Sequence, residues 1–180
     1  MEERQDEQRM NCRIIDIHTH IYPVALARRA MEVTGHENDD FKKLPIRENL
    51  LARMQEARVD ISVNLPVVSK PQNQGEVNRF AKEAARKNII SFGGLHPDCE
   101  NVIEELEKLK DMEMAGIKFH PPFQKVHLDD PKYEEMWRKI NQLGFPVLIH
   151  CGTAKIARPY DLYPSGVRKI LKYAPDIPII

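Results

Sequence analysis

Short runs of β-branched and apolar residues recur along the chain at intervals too long for hairpins: RIIDIH (13–18), ISVNLPV (61–67), IISFGGL (89–95), AGIKFH (115–120), FPVLIH (145–150) and a final IPII. The polar segments between them, such as VNRFAKEAARK (77–87), VIEELEKLKDM (102–112) and YEEMWRKINQL (133–143), carry apolar residues at helical spacing. Strand therefore alternates with helix. Near-continuously apolar strands joined by helical crossovers predict a parallel sheet covered by helices, either open and doubly wound or closed as a barrel.

The helices read as packing elements. In 102–112, Val102, Ile103, Leu106 and Leu109 form one apolar stripe, while Glu104, Glu105, Lys108 and Lys110 face water. Trp137, the only tryptophan, lies on the stripe of 133–143 and is expected in the core. Pro97-Asp98 and Asp129-Asp130-Pro131 precede two of the helices, and Gly116 and Gly144 stand where helices hand over to strands. The connection from Ile21 to Asp60 is longer and predicts two helical pieces, ALARRAMEV and IRENLLARMQEAR, separated by the loop GHENDDFKKLP, whose His36 reads as a solvated loop residue.

The placement of histidines chooses between the two architectures. His20, His96, His120 and His150 each fall at the carboxyl end of a different predicted strand, which is the active face of a TIM barrel. No Gly-x-Gly-x-x-Gly follows the first strand, so a dinucleotide fold lacks its phosphate-binding turn. The expected fold class is α/β, a TIM-barrel-type (β/α) repeat.

Composition excludes several partners. The 27 basic and 27 acidic side chains are interspersed along the chain, which predicts neither a nucleic-acid nor a membrane partner. No apolar run approaches the roughly 20 residues of a membrane helix, and the start MEERQDEQRMNCR has no signal-peptide core, so a cytoplasmic protein is expected. Cys12, Cys99 and Cys151 form no Cys-x-x-Cys pair and read as free thiols.

In IIDIHTHIYP (14–23), Asp16, His18 and His20 stand at alternate positions, so a regular strand projects all three to one side. Two imidazoles there can converge on one metal ion, with Asp16 as hydrogen-bond partner to a ligand. His150, after PVLI, would supply a third nitrogen in a closed barrel. In GIKFHPP, Lys118 and His120 share one face, and Ile117 and Phe119 are the natural residues for the helix-facing side. An inward Lys118 demands a charged partner or a substrate anion. His96, in GGLHPD, reads by itself as a hydrogen-bonded structural residue.

The series DIHTH, GGLHP, GIKFHPPFQ, PVLIHCG resembles the amidohydrolase superfamily, most closely its amidohydrolase-related branch of metal-dependent hydrolases and decarboxylases. The related barrel deoxyribonucleases share the first histidine pair but carry a glutamate where this chain reads IKFHPP. The resemblance covers residues 13–180, leaving 1–12 as a polar extension. It implies a divalent metal, zinc by preference, with His18, His20 and His150 as ligands and Asp16 behind them. Lys118, His120 and His96 become active-face or substrate residues.

The implied activity is hydrolysis of a small organic substrate by metal-activated water, with metal-dependent decarboxylation as the alternative. Lys118, Arg158 and Tyr160 would suit a carboxylate-bearing molecule. The family's sixth-strand histidine and eighth-strand aspartate are not found within the 180 residues, so no catalytic acid or base is assigned. The expectation is about five and a half of eight barrel units, against about 250 residues for a whole barrel. Such a piece would expose unpaired strand edges, which favours a homo-oligomer and keeps a catalytically inactive metal-binding fragment as a further alternative.

Overall fold

The computed structural model describes residues 12–34, 41–152 and 158–180, so His36 and the extension before Cys12 lie outside the described residues. The chain forms two compact units: residues up to Asn64 with Arg86–Ile90, and Leu65–Ala85 with Ser91–Ile180.

In the first unit, β1 (Ile15–Thr19) and β2 (Ile61–Asn64) run parallel, in a sheet of order β1-β2-β3 completed by β3 (Ile89–Ser91). The two predicted helical pieces are α1 (Val24–Thr34) and α2 (Arg47–Ala57). Ala27, Leu44 and Ile46 make a small core against Tyr22 and Met31, which brings the long connection back onto the end of β1. Tyr22 N–H donates to the Pro45 carbonyl (2.8 Å), Thr19 Oγ1 to the Val63 carbonyl (2.8 Å), and Ile21 N–H to Asn64 Oδ1 (3.2 Å). These bonds fix the backbone on both sides of His20.

The second unit holds β4 (Gly93–Gly94), β5 (Ile117–Phe119) and β6 (Val147–Ile149), all parallel and in that order. The final predicted strand contributes a single parallel bridge, Ile179 to Val147. Helices α3 (Gln74–Ala84), α4 (Val102–Asp111), the one-turn α5 (Pro121–Gln124), α6 (Glu134–Leu143) and α7 (Pro164–Ile170) accompany the sheet. Leu106 and Leu109 of the predicted stripe join Ile117, Phe119, Trp137, Ile140 and Val147 in one core. Each large apolar side chain buried there contributes about 1.5–3 kcal/mol. Trp137 is fully buried and its indole N–H donates to the Leu128 carbonyl (3.2 Å), as its place on the stripe predicts.

Three local expectations change. The run 89–95 is two strands in two different sheets, interrupted at Phe92, and Gly93 and Gly94 admit Leu109 and Val68 to positions that a side chain would occupy. Helix α4 turns out of its axis at Glu113, which takes the left-handed conformation (φ 54°); Gly116 serves close packing against Phe92 and Pro146 instead. Asp98 is no helix cap: its carboxylate accepts from Tyr133 Oη (2.7 Å) and Lys132 Nζ (2.9 Å), whereas Asp130 does accept the Lys132 N–H (2.9 Å) and Gly144 does end α6 at φ 68°.

Candidate functional site

The first unit carries His18 and His20. Their ring centroids lie 5.1 Å apart with the planes at 68°. The strand that holds them is not regular: Asp16 pairs with Ser62 and Thr19 with Asn64, three residues advancing against two, the signature of a bulge. Asp16 Oδ1 accepts the backbone N–H of His18 (3.0 Å), so it fixes the backbone of that residue.

This spacing fits a shared ion. At a metal–nitrogen distance of about 2.0–2.1 Å each ring centroid stands roughly 3.2 Å from the metal, and two such rings at a tetrahedral angle are about 5.2 Å apart. Nitrogen donors suit zinc, copper, iron or nickel and accept other divalent ions. The structure provides a pair of donors: among the described residues, no group of three or more His, Cys, Asp or Glu side chains is gathered closely enough to hold a metal ion.

In the second unit, the alternation of β5 separates two environments. Ile117 and Phe119 enter the helix-facing core, and Lys118, between them, points the other way and is only 1% exposed. Among the described residues its Nζ has no hydrogen-bond partner. Burial lowers the pKa of this ammonium to about 8, offset in part by the nearby Cys151 thiol; burial in turn raises the thiol, which Lys118 partly counters.

One residue pair beyond Lys118, the His120 and His150 rings stack at 4.0 Å with planes 8° apart, and Phe123 stacks on His120 at 4.1 Å and 21°. His150 N–H donates to the Phe119 carbonyl (3.0 Å), continuing the β5–β6 ladder. Pro121 and Pro122 stop the strand and begin the α5 turn, which returns Gln124 to the strand end. Gln124 accepts the His120 N–H (2.9 Å) and donates to the carbonyls of Val68 (3.1 Å) and Leu95 (2.6 Å).

His96 is knitted into the same framework. Its N–H donates to Gln74 Oε1 (2.7 Å), its Nδ1 accepts the Asp98 N–H (3.2 Å), and its ring bonds the Gln124 carbonyl. Burial lowers its pKa against the opposing pull of Asp98. These bonds hold the backbone and ring of His96 in place. Tyr160 lies 5.1 Å from the ring of His127. The Arg158 side chain lies outside the described residues.

Sequence reasoning missed Phe123 and Gln124. The usable signal was HPPFQ itself: two prolines after a strand end force a tight turn, and a tight turn brings the residue four places on back to the strand-end amide.

Parallel strands, helical crossovers and histidines at strand ends define the chain as a piece of a TIM-barrel-type (β/α) repeat. The amidohydrolase family model matches residues 15–179, and the chain belongs to that family. No curated protein matches it. It is similar in structure to 5-carboxyvanillate decarboxylase from Sphingomonas paucimobilis, at 14% identity over 93% of this chain and 66% of that one (TM-score 0.63). It is similar also to a putative 2-pyrone-4,6-dicarboxylic acid hydrolase from Pseudomonas putida, at 18% over 94% and 56% (TM-score 0.58). A third is a 5-carboxyvanillate decarboxylase from Novosphingobium aromaticivorans with bound manganese, at 16% over 80% and 52% (TM-score 0.63). The chain thus spans between 52% and 66% of the length of these relatives, and the likeness shows the fold. Among the described residues, no helix is long and apolar enough to cross a membrane.

Proposed function

We propose that this chain carries metal-binding residues of a metal-dependent hydrolase acting on a small carboxylate-bearing molecule. The observation that carries the reading is the 5.1 Å spacing of the His18 and His20 rings, which suits two nitrogen donors to one divalent cation. The motif pattern adds His150 as the ligand contributed by β6. When bound, such an ion lowers the pKa of water and polarises a substrate oxygen. Asp16 holds the His18 backbone, and Lys118 offers a buried positive charge to a substrate anion, since an ammonium removed from water is costly without one. Zinc is preferred for a nitrogen-rich set, although the similar Novosphingobium enzyme holds manganese.

Decarboxylation is the second reading. Two of the three similar proteins named above are decarboxylases, and the same Lys118 ammonium would neutralise the carboxylate of such a substrate.

The test is equilibrium dialysis of the chain against zinc and manganese, with the variants His18→Ala and His20→Ala. Each variant is expected to lose the first metal equivalent. Unchanged stoichiometry in folded variants would overturn the ligand assignment.

A further inference from the structure

The ladder bond from His150 N–H to the Phe119 carbonyl fixes the backbone of His150 but leaves its side-chain torsions open. A ligand imidazole must do better than that, because the nitrogen lone pair lies in the ring plane and a tilt of the ring swings it off the ion. A column of three rings limits the tilt here. Phe123, His120 and His150 stack face to face at 4.1 and 4.0 Å, closer than most aromatic pairs, so His120 is held on both faces and His150 can slide in its plane but not tip toward His120.

The column has a rigid foot. Phe123 sits in the one-turn α5 set by Pro121 and Pro122, its N–H donates to the His120 carbonyl (3.0 Å), and Gln124 accepts the His120 N–H (2.9 Å). Both the middle ring and the outer ring are therefore anchored to the same strand end.

We infer that His120 is a positioning residue that aims the His150 ring by stacking on it, with Phe123 as the backstop. The inference rests on the reading of His150 as a metal ligand. Stacking requires a flat ring and not a particular nitrogen. His120→Phe should therefore preserve the positioning, whereas His120→Ala should weaken it. A cation-bound imidazole also becomes electron-poor, and a second flat π face beside it is a favourable neighbour.

The experiment measures manganese affinity of the full chain by competition, alongside the His150 ring-proton shifts of the metal-free protein by NMR. Support for a ligand by its neighbours is typically worth tenfold or more in affinity, so His120→Ala should bind manganese about tenfold more weakly or worse, and His120→Phe near the wild-type value. In metal-free protein the ring-current shift of His150 should persist in His120→Phe and vanish in His120→Ala. Wild-type affinity and an unmoved His150 shift in His120→Ala would overturn the proposal. So would a His120→Phe variant as weak as the alanine, which would make a nitrogen of His120 the active feature. A control, His150→Ala, separates the two layers: full manganese affinity there would overturn the ligand reading and the proposal with it, while loss of affinity supports both.

Discussion

Asn78 holds both backbone polar groups of Gly94: its Nδ2 donates to the Gly94 carbonyl (2.9 Å) and its Oδ1 accepts the Gly94 N–H (2.8 Å). A helix side chain thus performs for the two-residue strand β4 what a neighbouring strand performs elsewhere. Both partners are buried. Replacing Asn78 by alanine leaves a buried donor and a buried acceptor unsatisfied, which should cost about 2–4 kcal/mol. Chemical denaturation of Asn78→Ala checks this; a loss below the value of one ordinary hydrogen bond would show that water enters in its place.

Lys118 should make the protein less stable at neutral pH than an apolar side chain would. Burial lowers its pKa to about 8 in the folded state, against about 10.4 in an unfolded chain. Below pH 8 both states are charged and the folded one carries the desolvation cost. Between pH 8 and about 10.4 the unfolded chain binds more protons, so this group's contribution to stability rises with pH. Lys118→Met is therefore expected to be more stable than wild type by roughly 1–3 kcal/mol at pH 7, with the gain shrinking as pH approaches 10.4. Urea titrations of both proteins at pH 7 and pH 10 decide it. A variant that is destabilised at pH 7 would show that the ammonium has a partner in solution.

Tyr133 and Asp98 give an opposite alkaline signature. Burial, reinforced by the bond to Asp98, raises the Tyr133 phenol to about 12. Burial also pushes the Asp98 carboxyl up, but the hydrogen bonds from Tyr133 and Lys132 together outweigh it and hold the carboxyl below its ordinary value. The neutral phenol's contribution is complete below about pH 10 and is lost as pH rises toward 12. Tyr133→Phe should cost about 0.5–1.5 kcal/mol at pH 7. Its deficit relative to wild type should narrow above pH 10, as compared by thermal melts at the two pH values; a constant deficit would mean that the phenol ionises alike in both states.

Gly116 tests packing at the entry to β5. A Cβ there would meet Phe92 Cε2 at 2.5 Å and the Pro146 carbonyl oxygen at 2.6 Å, and that oxygen is held by the Ile117 N–H (2.9 Å). The backbone cannot yield without breaking the ladder. Gly116→Ala should cost about 1–3 kcal/mol by overpacking. Gly93→Ala should cost less, because its nearest obstacle is the end of the flexible Leu109 side chain. Equal losses in denaturant titrations would show that the β5 backbone gives way.

What the sequence determined by itself follows from periodicity. The α4 stripe of Leu106 and Leu109, the buried Trp137, the alternation of Ile117 and Phe119 against Lys118, and the αL glycine closing α6 are each set by neighbours three or four residues away, or by a strand's period of two. The family was legible for a similar reason: its histidines stand at fixed offsets from strand ends.

Tertiary structure decided what depends on approach between distant segments. Local pattern does not place Phe92 beside Gly116, aim Asp98 at Tyr133, offset β1 by one residue against β2, or bring the rings of His120 and His150 to 4.0 Å. Those contacts bridge 24, 35 or 30 positions, or depend on a one-residue offset between paired strands. They are selected by close packing, where an ångström decides whether a side chain fits, and not by any propensity that a residue carries alone.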